Sequence, residues 1–131
     1  NLPFLDKLDE LLPATQVKRL EKEERVAMFP VNFARGMSWA GKAIIFDEAQ
    51  NSSLKEIVTV LTRIGRGSKC FVLADPMQTD LHRGQGGFEQ LQKLFSDDDS
   101  MERGLHSFEF TEDDIMRSEL VKFLIKKINT L

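Results

Sequence analysis

Two short apolar segments, each followed by acidic residues, constrain the fold most. Residues 43–46 (Ala-Ile-Ile-Phe) precede Asp47 and Glu48, and residues 69–74 (Lys-Cys-Phe-Val-Leu-Ala) precede Asp75. Apolar runs of this length are typical of parallel strands buried on both faces. The carboxyl ends of neighbouring parallel strands meet at one edge of a sheet, where α/β proteins bind ligands. We therefore predict that these acids come together at a site.

The surrounding pattern predicts an α/β fold. We expect a first helix with Pro3 in its first turn that ends at Pro13, a second helix over residues 16–24, and a third after the Ser53-x-x-Glu56 capping box. A short helix is expected over residues 87–95, and a final helix from Ser118, whose apolar positions 120, 121, 124, 125 and 128 face inward. Strands are expected over residues 26–33, 43–46, 69–74 and 107–110, and an exposed acidic loop over residues 97–99. This alternation predicts a mostly parallel sheet with flanking crossover helices.

Composition narrows the class of protein. The 131 residues are enough for one domain with a real core, and 41% hydrophobic and 30% charged residues are ordinary for a globular chain. The net charge of −3 argues against a general nucleic-acid-binding field, although it allows a local basic patch. The single cysteine excludes a disulfide framework and favours the cytoplasm. No apolar stretch reaches membrane-spanning length, so no membrane partner is expected.

An apolar strand that ends in Asp-Glu is similar to the Walker B pattern of P-loop nucleotide hydrolases. In that pattern the first acid helps to hold Mg²⁺ and the second polarises the attacking water. The alternative for Asp47 and Glu48 is an acidic helix start, because carboxylates are favourable near helix N-termini.

Longer blocks carry a more specific resemblance. In order along the chain they read DEAQN, LTRIGRGSK, ADPMQTDL followed by RGQ, and FTEDDIMRSELV. Together they resemble the PhoH-like family of P-loop ATPases, with coverage of about residues 2–128. Ser118 and Glu119 replace the family's usual His-Pro, and Ala74 replaces the glycine that opens the related motif of superfamily 1 helicases, a more distant resemblance.

One family element is missing from the sequence. No Gly-x-x-x-x-Gly-Lys-Ser/Thr loop occurs, although this Walker A element supplies the amides and lysine that cradle phosphates. The resemblance places it upstream of Asn1. It therefore implies that residues 1–131 are the C-terminal part of a single PhoH-like domain, a partial P-loop NTPase (RecA-like) domain that lacks the Walker A strand and loop. Unpaired strand edges and an exposed core surface are then expected.

The resemblance also implies roles for single residues. Asp47 would hold Mg²⁺ through water, and Glu48 would polarise the hydrolytic water. Gln78 would sense the γ-phosphate, and Asp75 would bind the loop of Gln78 or a water on the metal. For Gln78 the alternative is an ordinary polar loop residue, and for Asp75 a turn acid before proline.

Arg117 is the candidate for a phosphate-stabilising arginine, acting within its own chain or from a neighbouring subunit. The alternative is a surface arginine that pairs with Asp113 or Asp114. The segment Arg83-Gly84-Gln85 also matches a family block, and its glycine suits a tight loop.

The resemblance implies ATP binding and Mg²⁺-dependent ATP hydrolysis in the intact protein, with ATP and Mg²⁺ as cofactors. It further implies RNA as a partner and a ring-like homo-oligomer. Without the phosphate cradle, these residues alone are expected to be inactive. Two alternatives stay open: a nucleic-acid-binding module with a vestigial nucleotide site, and a protein-interaction module that pairs with a chain carrying the missing strand.

Overall fold

A computed structural model describes residues 2–78, 86–128 and 130 of the chain. The chain divides into two compact units, residues 1–89 and residues 90–131. Six α-helices occur in the described residues: α1 (Leu2–Leu11), α2 (Ala14–Lys22), α3 (Leu54–Leu61), α4 (Phe88–Leu94), α5 (Asp98–Glu102) and α6 (Glu119–Ile128). The same residues contain strands β1 (Ala43–Phe46) and β2 (Lys69–Val72), and short 3₁₀ turns at Val31–Ala34, Ala49–Asn51, Pro76–Gln78 and Glu112–Asp114.

The sheet of the first unit has two parallel strands among the described residues. β1 and β2 pair in register from Ala43 with Lys69 to Phe46 with Val72, and α3 connects them. The α/β class and the parallel pairing are confirmed, although β2 ends two residues before the predicted limit. The expectation of burial on both faces is wrong: Ile45 and Phe71 are 50% and 52% exposed, whereas Phe46 is 7% exposed. The exposed face fits the expected open core surface.

Helix α3 begins where the sequence predicts it. The Glu56 amide donates to Ser53 Oγ (3.4 Å), while the Glu56 carboxylate accepts from the Ser53 amide (2.8 Å) and hydroxyl (2.7 Å). These hydrogen bonds, led by the side-chain bond to Ser53, hold the pKa of Glu56 below its ordinary value. Ile57 and Val60 then bury the inner face of the helix at 0% and 4% exposure.

Two predicted strands are absent from the described structure. Residues 26–33 are predicted as a strand that Pro30 confines to a sheet edge or makes irregular, but they form no strand and stay irregular until the 3₁₀ turn Val31–Ala34. Pro30 has no amide hydrogen for a strand ladder, and its carbonyl accepts from the Phe33 amide (2.9 Å) to start that turn. Residues 107–110 are likewise irregular. Of the four predicted strands, only β1 and β2 form among the described residues, and α3 connects them.

Two predictions in the second unit are also wrong. The acidic residues 97–99 do not form a loop, because Asp97 caps α5 by accepting from the Ser100 amide (2.8 Å). Hydrogen bonds with Ser100 lower the pKa of Asp97. Helix α6 exists, but its apolar positions are not buried: Leu120 and Ile128 are 67% and 62% exposed.

None of the helices in the described part of the chain has the length and apolar character needed to cross a membrane.

Candidate functional site

The carboxyl ends of β1 and β2 open into one cleft of about 180 Å³, lined by Asp47, Glu48, Gln50, Leu73, Ala74, Asp75 and Gln78. Hydrogen bonding continues past the strands, with the Leu73 amide donating to the Phe46 carbonyl (2.8 Å) and the Ala49 amide to the Leu73 carbonyl (2.9 Å). The segments that follow β1 and β2 therefore leave the sheet at the same level. The predicted meeting of the acids is confirmed, and all of it lies within the first unit.

Glu48 adopts a left-handed backbone conformation (φ 55°, ψ 35°) that non-glycine residues rarely take. Such a conformation costs about 1–2 kcal/mol, so surrounding contacts must hold it. One contact is local, since the Glu48 amide donates to Asp47 Oδ1 (3.0 Å). The Glu48 side chain caps no helix, and α3 begins only at Leu54. Glu48 is nevertheless the N-cap residue of the 3₁₀ turn Ala49–Asn51, so the alternative of an acidic helix start stays open for it.

Gln50 connects the two sides of the cleft through a buried side chain that is 4% exposed. Its Nε2 donates to Glu48 Oε2 (2.6 Å) and to the Gln78 carbonyl (3.3 Å). Its Oε1 accepts from the Asp75 amide (3.0 Å). Only a side chain with both a donor and an acceptor can make this set of bonds. The sequence analysis missed this role of Gln50. The only signal that could have indicated it is the position of Gln50 in the DEAQN block.

The turn after β2 is held by Asp75. Asp75 Oδ2 accepts from Gln78 Nε2 (2.6 Å), and Asp75 Oδ1 accepts from the Met77 amide (3.0 Å). The expected contact between Asp75 and the loop of Gln78 is thus present, in the form of an Asx-type turn before proline. Gln78 lies at the cleft with its side-chain amide bonded to Asp75.

The donor set suits a cation that keeps most of its water. Asp47 is exposed, and its second carboxylate oxygen has no hydrogen-bond partner among the described residues. The described residues contain no group of three or more His, Cys, Asp or Glu side chains that could hold a metal ion by themselves. Mg²⁺ is commonly bound by one or two carboxylates together with water and substrate phosphates, so the residues fit that ion.

Arg117 belongs to the second unit, where it lies exposed in the bend before α6. Within the described residues it forms no ion pair with Asp113 or Asp114, and Asp114 instead accepts from the Thr111 amide (2.7 Å). Its role toward phosphate stays a prediction. The block Arg83-Gly84-Gln85 lies outside the described residues.

The fold and the cleft together define a class of protein. Parallel strands joined by a crossover helix, with acids at their carboxyl ends, are consistent with part of a RecA-like α/β domain. A family comparison then gives the particular group: the sequence profile "PhoH-like protein" matches residues 1–129, and the chain belongs to that family.

Individual relatives agree with this assignment. A PhoH-like protein of Bacillus subtilis is 30% identical over 125 residues, which cover 95% of this chain and 38% of the relative. A PhoH-like protein of Synechocystis is also 30% identical, over 95% of this chain and 37% of the relative. Protein PhoH of Escherichia coli is 30% identical over 90% of this chain and 33% of its own length. The chain thus spans between 33% and 38% of the length of these relatives.

Proposed function

We propose that this segment forms the metal- and water-handling half of an ATP-hydrolysing site, with Mg²⁺ as the required ion. One observation carries the proposal: two acid-tipped parallel strands converge on a single cleft, and Gln50 links Glu48 to the turn of Asp75 and Gln78.

The roles follow from the chemistry of phosphoryl transfer. When bound, Mg²⁺ neutralises charge on the phosphate oxygens. Asp47 would supply a carboxylate oxygen to the ion or to its water shell. Glu48 would accept a hydrogen bond from the attacking water and orient it, with Gln50 fixing the position of the carboxylate. Gln78 would change partner from Asp75 to the γ-phosphate, and Arg117 would stabilise developing charge.

The proposal needs phosphate-binding groups that these residues do not provide. The sequence has no Gly-x-x-x-x-Gly-Lys-Ser/Thr loop, and hydrogen-bond donors for a triphosphate must come from elsewhere in the polypeptide or from another chain. RNA as the polymer partner, a ring-like homo-oligomer and a cytoplasmic location belong to the same proposal. Their support is the family to which the chain belongs.

The test replaces Glu48 with glutamine in the intact polypeptide that contains this segment. Because Glu48→Gln keeps the shape but removes the carboxylate, we expect ATP turnover to fall by about 100-fold or more. Binding of a fluorescent ATP analogue with Mg²⁺ should persist. The matched control is Glu102→Gln in α5, which should leave turnover unchanged. Full turnover in Glu48→Gln would overturn the proposed role.

A further inference from the structure

A cluster of cations lies at the opposite end of the strands from the cleft. Lys42 directly precedes β1, Lys69 begins β2, and Arg63 and Arg66 lie in the turns that lead into β2. We call these four residues the basic edge. Residues 36–46 and 62–74, which contain them, include no Asp or Glu, although the whole chain has a net charge of −3. The basic edge is therefore a local reversal of the charge of the molecule.

A network of backbone hydrogen bonds holds the two turns of the basic edge together. Trp39 forms a parallel bridge with Ile64, its amide donates to the Arg63 carbonyl (2.9 Å), and its carbonyl accepts from the Gly65 amide (2.6 Å). A Cβ on Gly65 would lie 2.7 Å from the Trp39 oxygen, so only glycine permits this approach. The turns are thus fixed relative to each other.

Further bonds tie the cations themselves to this frame. The Gly41 amide donates to the Arg66 carbonyl (3.0 Å), and the Lys69 amide to the Lys42 carbonyl (2.9 Å). Ser68 Oγ accepts from the Lys42 amide (2.9 Å) and donates to the Trp39 carbonyl (2.6 Å). The backbone under the basic edge is therefore preorganised, which lowers the entropy cost of binding a ligand there.

Some cations elsewhere in the described residues are paired with an acid. Arg19 and Arg103 form ion pairs one helical turn away, at 2.6 Å and 3.1 Å. No residue of the basic edge forms an ion pair within the part of the chain that the structure describes. Lys42, Arg66 and Lys69 are exposed, and Arg63 is half-buried with its Nε lacking a hydrogen-bond partner. Their charge is available to an external anion.

We propose that the basic edge binds the phosphate backbone of a single-stranded nucleic acid. Arginine guanidinium groups match phosphate oxygens with two parallel hydrogen bonds, and lysines add point charges. Gly41, Gly67 and Ser68 separate the cations, and phosphate contacts need only charge and hydrogen-bond donors.

This inference shares with the proposed function only the polynucleotide partner. It assigns the contact to the amino ends of the strands, away from the cleft of Asp47 and Glu48. The binding experiment contains no ATP and no Mg²⁺. Its result therefore does not depend on whether the cleft hydrolyses ATP, and either proposal can fail without the other.

The test measures fluorescence anisotropy of a fluorescein-labelled 20-nucleotide oligouridylate with the 131-residue chain across a series of salt concentrations. We expect binding that weakens with salt, and a double variant Arg66→Ala/Lys69→Ala that binds about tenfold or more weakly at low salt. Each lost phosphate contact on a single strand lowers the slope of log K against log salt by about 0.7, so the slope should fall by about 1.4. An unchanged slope would overturn the proposal.

The matched control removes two exposed cations from α2, Lys18→Ala/Lys22→Ala, with the same change in net charge. It should keep the parent slope and affinity, and an equal loss in the control would reduce the effect to global charge and overturn the proposal. The variant Arg66→Lys/Lys69→Arg keeps both charges and should restore the slope, which separates charge from misfolding. A 20-nucleotide oligothymidylate should also bind, and binding of one polymer only would contradict a backbone contact.

Trp39 provides a local reporter, because it is the only tryptophan and lies within the turns of the basic edge. Its fluorescence should change with the same midpoint as the anisotropy. Sedimentation velocity examines the competing occupant, a second copy of the chain. If the parent self-associates, does not bind the oligonucleotide, and becomes monomeric in Arg66→Ala/Lys69→Ala, the surface joins copies and the proposal is wrong.

Discussion

At the scale of single residues, Gln50 joins the two sides of the cleft through one buried amide. Its Nε2 donates to the Glu48 carboxylate and the Gln78 carbonyl, and its Oε1 accepts from the Asp75 amide. Glu48 depends on this support, since its left-handed backbone is unfavourable for a side chain with a Cβ. The position of the proposed water-orienting carboxylate therefore rests on a residue that itself need not touch nucleotide.

Replacing Gln50 with leucine should destabilise the first unit by about 1–3 kcal/mol, because the variant loses the hydrogen bonds that the buried Gln50 side chain forms with Glu48, Asp75 and Gln78. Chemical denaturation followed by far-ultraviolet circular dichroism measures this change. Gln16→Leu, at an exposed position of α2, is the control and should stay within about 0.5 kcal/mol of the parent. If the two variants lose the same stability, the side-chain bonds of Gln50 do not hold the cleft.

At the scale of elements, the sequence predicted a helix or strand correctly where the groups that stabilise it lie close together in the sequence. The capping box of α3 closes within four residues, so Ser53 and Glu56 fix the start of that helix without help from distant segments. β1 was predicted with its observed limits because an apolar run flanked by a glycine turn and an acid pair leaves few alternatives. The strand predictions for residues 26–33 and 107–110 are wrong, because a strand needs a neighbouring strand and none pairs with these segments in the described residues.

The capping box gives α3 a pH dependence of known sign. The pKa of Glu56 is lowered in the folded state, so its contribution to stability is fully present above the unfolded value, about 4.3, and is lost as the pH falls through the folded pKa. We expect Glu56→Gln to be less stable than the parent at pH 7 and to lose less stability between pH 5 and about pH 2.5.

Thermal melts at intervals of half a pH unit measure that difference. Glu102→Gln, on exposed α5, is the control and should follow the parent curve. A Glu56→Gln curve parallel to the parent over the whole range would show that the Ser53–Glu56 bonds do not stabilise the folded state.

At the scale of the molecule, the chain carries opposite charge at the two ends of a short parallel sheet. Acids occupy the carboxyl ends, and the basic edge occupies the amino ends. One sheet face also exposes large apolar side chains, with Ile45, Phe71 and Leu73 at 50%, 52% and 46%. The matching segment covers only 38% of the Bacillus subtilis relative and 33% of the Escherichia coli relative.

We expect the 131 residues alone to bind ATP weakly, with a dissociation constant above about 1 mM, since they lack a phosphate-cradling loop. Isothermal titration calorimetry with Mg²⁺ and ATP measures the affinity, and Asp47→Asn provides the comparison for heat not due to the cleft. Micromolar binding that Asp47→Asn abolishes would contradict this expectation and would mean that these residues hold a triphosphate by themselves.

The sequence by itself determined the family, the parallel pair of strands and the meeting of Asp47, Glu48 and Asp75, because these follow from short-range patterns and from the geometry of parallel strands. Only the tertiary structure decided the role of Gln50 and the hydrogen bonds that join the two turns of the basic edge. These depend on atoms from segments about 25 residues apart, as in the bond from the Asp75 amide to Gln50 and that from the Trp39 amide to Arg63. Hydrophobic periodicity records which residues prefer burial, but only the folded chain decides which distant hydrogen-bonding groups meet.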